Sequence, residues 1–248
     1  IIPHLFFPIV TMWLIVLTIL LLGIKRGIEW SNKIFIPLLI ILFLILVVTA
    51  VRLPGAMTGL DAFFTPNWQA MTNYKVWLAA YGHIFFSLSV GFGIMVTYAS
   101  YLGKKVNLTA SGLVVGLATS SFELLSGIGV FAALGFMAQV QGVPVAEVVK
   151  GGIGLAFIVF PKLISSLGSS GDWFGFLFFS SLVFAGITSL VSVMEVPISA
   201  IADKTGCKRK TAVLGVGGGT AIVSTALFST ASAMTLVDIM DHFVNNIG

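Results

Sequence analysis

Long uncharged apolar runs limit this chain's fold more than any other feature. Six are evident, at residues 5–23, 34–51, 76–102, 108–139, 173–201 and 211–236, interrupted by acid only at Glu123 and Glu195. A helix crossing the hydrocarbon of a bilayer needs about 20 apolar residues, so each run predicts a spanning helix. The composition leaves little else. Of 248 residues 58% are hydrophobic and 9% charged, against about 25% charged in a soluble domain. That excludes a water-soluble globule, and disorder with it, because disordered chains lack apolar residues. The predicted class is an all-α integral membrane bundle of six spanning helices. A seventh run, 153–160, is too short to span and lies between glycines and Pro161, so it predicts a re-entrant element in an outer loop. Pro54-Gly55 and Thr65-Pro66-Asn67-Trp68 mark turns in the other long connection.

The basic residues carry orientation. Lys25, Arg26, Lys33, Lys104, Lys105, Lys204, Lys208, Arg209 and Lys210 fall in short connections on one side. Arg52, Lys75, Lys150 and Lys162 fall on the other. The positive-inside rule places the first group in the cytoplasm, so the net charge of +4 reads as topology and not as a nucleic-acid surface. Both chain ends then face outward, and the chain opens Ile1-Ile2-Pro3-His4 with no signal peptide. Together these predict a piece of a longer polypeptide. The single cysteine, Cys207, forms no internal disulfide.

Polar residues inside the runs are the candidate functional groups. Tyr81-Gly82-His83-Ile84-Phe85-Phe86-Ser87-Leu88-Ser89-Val90-Gly91-Phe92-Gly93 sets serines and glycines near mid-membrane. Either the helix breaks there, which hydrocarbon tolerates only against protein or a watery cavity, or the small residues let helices pack closely. Ala185-Gly186-Ile187-Thr188-Ser189 offers hydroxyl and carbonyl oxygens suited to a hard cation, or hydroxyls bonded to their own helix. Glu123 is an intramembrane carboxylate, costing about 3 kcal/mol if ionised and unpaired. It is a candidate for ion or proton coupling, or a lock between helices. Glu195, near the cytoplasmic end of its run, snorkels or pairs there. His4, His83 and His242 have no zinc spacing, no phosphate loop is present, and Gly217-Gly218-Gly219 reads as helix packing, so an enzyme is not expected.

The string Gly82 to Gly93, followed by Thr97-Tyr98-Ala99-Ser100-Tyr101, resembles the neurotransmitter:sodium symporter family, and its bacterial amino-acid transporters most closely. The resemblance continues through Ser120-Ser121-Phe122-Glu123-Leu124-Leu125, Gly154-Leu155-Ala156-Phe157, Phe184-Ala185-Gly186-Ile187-Thr188-Ser189 and Val237-Asp238-Ile239-Met240-Asp241-His242-Phe243. It implies an inverted-repeat bundle with broken helices, of which this chain holds helices four to nine and the start of ten. Helices one to three, eleven and twelve are expected outside it, and such a piece is not expected to transport alone.

By the same resemblance, Phe85, Phe86, Ser87, Ser89 and Phe92 line a substrate pocket, with Ser189 and Val193 on its far wall and Phe86 as an outer lid. Ser87 and Thr119 would serve one sodium site. The Ala185 carbonyl, Thr188 and Ser189 would serve a second. Asp241 matches the acid of an outer ionic gate. Two positions depart from the pattern: Thr119 replaces a common asparagine ligand, and His83 replaces a common glutamine. Glu123 stands where a built-in carboxylate accompanies independence from chloride, so a His83–Glu123 pair is expected to be protonatable. The function implied is sodium-driven symport of a neutral, apolar or aromatic amino acid in a bacterial inner membrane, with sodium as the coupling ion and no chloride requirement. The rival reading is a non-transporting receptor or accessory membrane protein that keeps the fold.

Overall fold

A computed structural model of the chain describes residues 2–103, 105–148, 157 and 160–247. All its regular structure is helical: α1 Pro3–Gly23, α2 Trp30–Val51, α3 Ala56–Phe64, α4 Tyr74–Ser87, α5 Ile94–Ser100, α6 Leu108–Gln141, α7 Val145–Val148, α8 Phe160–Ser166, α9 Gly171–Thr205, α10 Arg209–Ala212, α11 Gly218–Phe228 and α12 Ala233–Ile247. Two compact units divide it, one from residues 1–36 and 184–248, the other from 37–183. The re-entrant element expected at 153–160 lies outside the described residues, apart from Phe157 and Phe160.

Among the described residues four helical stretches are long and apolar enough to cross a bilayer: His4–Val51, Leu108–Gln141, Gly168–Thr205 and Arg209–Phe228. The first, at 48 residues, is twice what one crossing needs and carries Lys25, Arg26, Glu29 and Lys33 at its middle. The chain turns back at this point. Gly23 takes φ 84°, a π-helical turn follows at Ile24–Glu29, and Gly27 lies so close to the Ile19 carbonyl that no Cβ would fit. The stretch is therefore two helices, α1 and α2, joined by a charged turn. In the turn Lys33 Nζ donates to Glu29 at 2.7 Å and holds that carboxyl below its ordinary value.

Two expected runs differ in the structure. The run at 76–102 is split between α4 and α5. The run at 211–236 ends early: α11 stops at Phe228 and α12 begins at Ala233. There the Ser229 amide still donates to Thr225 O (3.1 Å), and the hydroxyls of Ser229 and Thr230 donate to the carbonyls of Thr225 (2.6 Å) and Leu227 (2.8 Å). The sequence also gave no sign of α3, which lies in what reads as a loop.

Small residues set the packing of the 37–183 unit. Gly59 of α3 and Gly135 of α6 meet backbone to backbone, and a Cβ on either would strike the other helix. Such small-residue contact is how helices approach in hydrocarbon, where burial gives no driving force. Behind it Leu46, Ala50, Ala132, Leu134, Leu163, Phe174 and Leu177 are buried together, with the Phe160 ring stacked on Phe178 at 4.1 Å. Asn73 and Asn107 cap α4 and α6, their side chains accepting from the amides of Lys75 (3.0 Å) and Ala110 (3.1 Å).

The terminal unit is held by a charge pair. Glu195, fully buried in α9, accepts from both terminal nitrogens of Arg209 at 2.6 and 2.7 Å, and Arg209 also reaches the Leu20 carbonyl at 3.4 Å. Glu195 thus pairs and does not snorkel. Of the glycine triplet, only Gly217 meets a neighbour, with the Leu17 side chain where its Cβ would stand.

Two substitutions test this packing. Arg209→Met strands the buried carboxylate, and is expected to cost about 3–5 kcal/mol in thermal unfolding of the detergent-solubilised protein. The double variant E195L/R209M should recover most of that loss. Gly59→Val should cost about 1–3 kcal/mol by overpacking, whereas Gly82→Val, in open space, should lose far less.

Candidate functional site

The break between α4 and α5 is built from the backbone. Beyond Ser87 the Leu88 amide donates to Ile84 O (3.1 Å), the Ser89 amide to Phe86 O (2.9 Å) and the Val90 amide to Phe85 O (3.2 Å). The last two bonds form a Schellman closure. Helix α6 ends the same way, with the Val143 amide on Ala138 O (3.1 Å) around Gly142 at φ 68°. In α4 the left-handed position is Ser89, at φ 54°, where a side chain costs about 1–2 kcal/mol. Residues 88–93 are not helical, and α5 starts after Gly93 at φ 69°. At Gly91 a Cβ would stand 2.9 Å from the Phe85 ring, which would have to shift, whereas Gly82 has nothing within 4 Å. Of the two sequence alternatives, the structure takes the break.

Side chains of two kinds surround it. Phe86 and Phe92 meet edge to face across the gap, with ring centroids 5.2 Å apart, and Ser87 Oγ donates to Ile84 O at 3.3 Å. On α6, Thr119 and Glu123 stand four residues apart and share a face. His83 Nε2 lies 3.6 Å from Glu123 Oε1, the two side chains 66% and 37% exposed. That separation is too long for a hydrogen bond and suits an ion pair when the imidazole is protonated. The sequence offered this pairing without evidence of proximity; the structure supplies the proximity.

The second polar cluster belongs to the terminal unit and is described there alone. On α9, Ala185, Thr188, Ser189, Ser192 and Val193 recur at helical spacing on one side. Thr188 Oγ1 donates back to the carbonyls of Ala185 (2.9 Å) and Phe184 (3.1 Å), and Ser192 Oγ donates to Thr188 O (3.0 Å). Donation to the helix leaves the hydroxyl oxygen of Thr188 its acceptor capacity, so self-bonding and cation binding are compatible there. Ser189 and Val193 are exposed. The hydroxyl, carbonyl and carboxylate oxygens of the two clusters are donors that suit a hard cation. Among the described residues no three His, Cys, Asp or Glu side chains gather to hold a metal. Asp241 falls within α12, and its side chain lies outside the described residues.

Sequence reasoning missed two residues. Ser89 as a left-handed helix terminator has no local signal beyond the glycines that follow. Arg209 read only as a cytoplasmic charge, although an acid buried fourteen residues earlier required a partner.

Comparisons with known proteins identify the family. The model of the sodium:neurotransmitter symporter family matches residues 2–248. An uncharacterized sodium-dependent transporter of Methanocaldococcus jannaschii is 48% identical over 233 residues, covering 94% of this chain and 47% of the relative. The sodium-dependent serotonin transporter of Drosophila melanogaster is 35% identical over 164 residues, 66% of this chain and 26% of that protein. The crystal structure of MhsT in complex with L-phenylalanine superposes with a TM-score of 0.73 at 33% identity, covering 89% of this chain and 48% of MhsT. The chain thus spans about half the length of MhsT and of the archaeal relative, and less of the serotonin transporter. The family is one of transporters and not of enzymes, and with the apolar helices it makes this a multi-pass membrane chain. By its match from residue 2 to residue 248, the chain belongs to the sodium:neurotransmitter symporter family.

Proposed function

We propose that the protein imports a neutral amino acid, apolar or aromatic, in symport with sodium by alternating access across a bacterial inner membrane. The observation that carries this reading is the break at 88–93, flanked by Phe85, Phe86 and Phe92, in a chain that matches the symporter family throughout. A break exposes backbone groups in hydrocarbon that need a polar occupant or a cavity, and broken helices hold substrate and ion at the midplane in this fold, for which the bacterial amino-acid transporter of the same family is a standard example. The aromatic lining favours an apolar side chain on the substrate, and MhsT, a relative in fold and sequence, crystallised with L-phenylalanine.

In this reading Ser87 and Thr119 contribute oxygens to one sodium ion, and the Ala185 carbonyl, Thr188 and Ser189 to another. Ser89 and the three phenylalanines shape the substrate pocket, and Ser189 and Val193 close it. Asp241 belongs to the outer gate. The remaining walls and ion ligands come from helices one to three, with eleven and twelve completing the bundle. Sodium entering down its gradient supplies about 2.3 kcal/mol per charge per 100 mV, besides its concentration term. Glu123 provides a negative charge beside the ion site, which removes the need for chloride, and His83 lies 3.6 Å from that carboxylate.

The test is binding of labelled neutral amino acids to the full-length protein. Sodium should raise affinity more than tenfold over potassium; equal affinity in the two salts would sink the coupling. Thr188→Val, which keeps shape and removes the oxygen, should shift half-saturation for sodium upward at least tenfold with little change in thermal stability. Glu123→Gln should reduce chloride-free uptake severalfold, with partial recovery in chloride. Strict chloride dependence of the unmodified protein, with no response to pH, would refute the His83–Glu123 role.

A further inference from the structure

The charged turn between α1 and α2 closes one end of a groove that the transport reading leaves unassigned. The groove, about 390 Å³, lies wholly within the terminal unit and is walled by Leu14, Ile15, Leu22 and Phe35. Its hydroxyls donate inward and add no outward donor: Thr11 to Phe7 O (2.9 Å), Thr18 to Leu14 O (2.6 Å) and Ser31 to Ile28 O (3.1 Å). The groove's outward donors are then the Arg26 guanidinium and the Trp30 indole, both exposed and both at the turn. The neighbouring cations differ. Lys33 is committed to Glu29 at 2.7 Å, whereas among the described residues Arg26 has no carboxylate within 4 Å.

Dimension and charge together choose the occupant. From Leu22 to Thr11 the helix rises about 16 Å at 1.5 Å per residue, close to the depth of one leaflet's hydrocarbon, about 15 Å. A guanidinium fork matches a phosphate in two parallel bonds, and an exposed Trp belongs at the headgroup level. Basic residues on the cytoplasmic side of spanning helices recruit anionic headgroups. We propose that this groove binds an anionic phospholipid of the cytoplasmic leaflet, its phosphate on Arg26 and one acyl chain along α1. The site is independent of the ion and substrate residues, so its readout is lipid retention and not uptake.

Native mass spectrometry of the full-length protein, delipidated and then offered equal phosphatidylglycerol and phosphatidylcholine of the same chains, decides it. The first bound lipid should favour phosphatidylglycerol about fivefold, the effect of one basic residue at an anionic headgroup. Arg26→Gln should abolish that preference, Lys33→Gln should leave it, and millimolar inorganic phosphate should not displace the lipid. Ile15→Trp, which fills the wall with the charge intact, should lower retention of both lipids. Parity in the unmodified protein, an unchanged preference in R26Q, or displacement by phosphate alone overturns the proposal. Should R26Q not fold, I15W decides: unchanged retention then overturns it.

Discussion

A peptide group inside hydrocarbon must find a partner, and most of this structure follows from that requirement. Continuous helix satisfies it without help, which is why most of the apolar stretch among the described residues is helical. Hydroxyls obey the same rule: Thr11, Thr18, Thr49, Ser121 and Thr188 each donate to a carbonyl four residues back. The break after Ser87 is the instructive exception. Its first amides are closed by the Schellman pattern, at the expense of a serine held at φ 54°. At the end of α6 the matching left-handed place is filled by Gly142, at φ 68°.

Charges follow a matching logic. Glu195 is buried and doubly bonded to Arg209, which ties α9 to the helix that follows it and to the carbonyl of Leu20 at the end of α1. Glu123 and His83 are close but only loosely paired, at 3.6 Å and partly exposed. The first arrangement is rigid and leaves the acid no freedom to change partners. The second is looser, with no hydrogen bond at that separation. The turn at Lys25 to Lys33 divides its cations in the same manner, with Lys33 bound to Glu29 and Arg26 facing the groove.

Much of this was legible in the residues. Uncharged runs located the helices because length and hydropathy alone decide whether a segment can cross, and the glycines near Phe92 announced a weak helix. The unreadable parts depend on contacts distant in sequence. Helix α3 exists because Gly59 can lie against Gly135, seventy-six residues later. The early end of α11 at Phe228 falls inside an apolar run, whose hydropathy does not register it. The His83–Glu123 approach depends on how α4 meets α6, for which neither residue carries a local signal. Resemblance to a family suggested roles for residues, and the structure shows that His83 and Glu123 stand together.

The central claim is that the broken α4–α5 segment forms a site whose occupation by an amino acid is driven by sodium. Uptake of labelled amino acid by proteoliposomes of the full-length protein, under an inward sodium gradient and with the membrane potential clamped, tests it most directly. Accumulation above the external concentration that collapses when the sodium gradient is dissipated is the result this account predicts. Equilibration to the external concentration regardless of the gradient, or no uptake with the protein intact and folded, would contradict it.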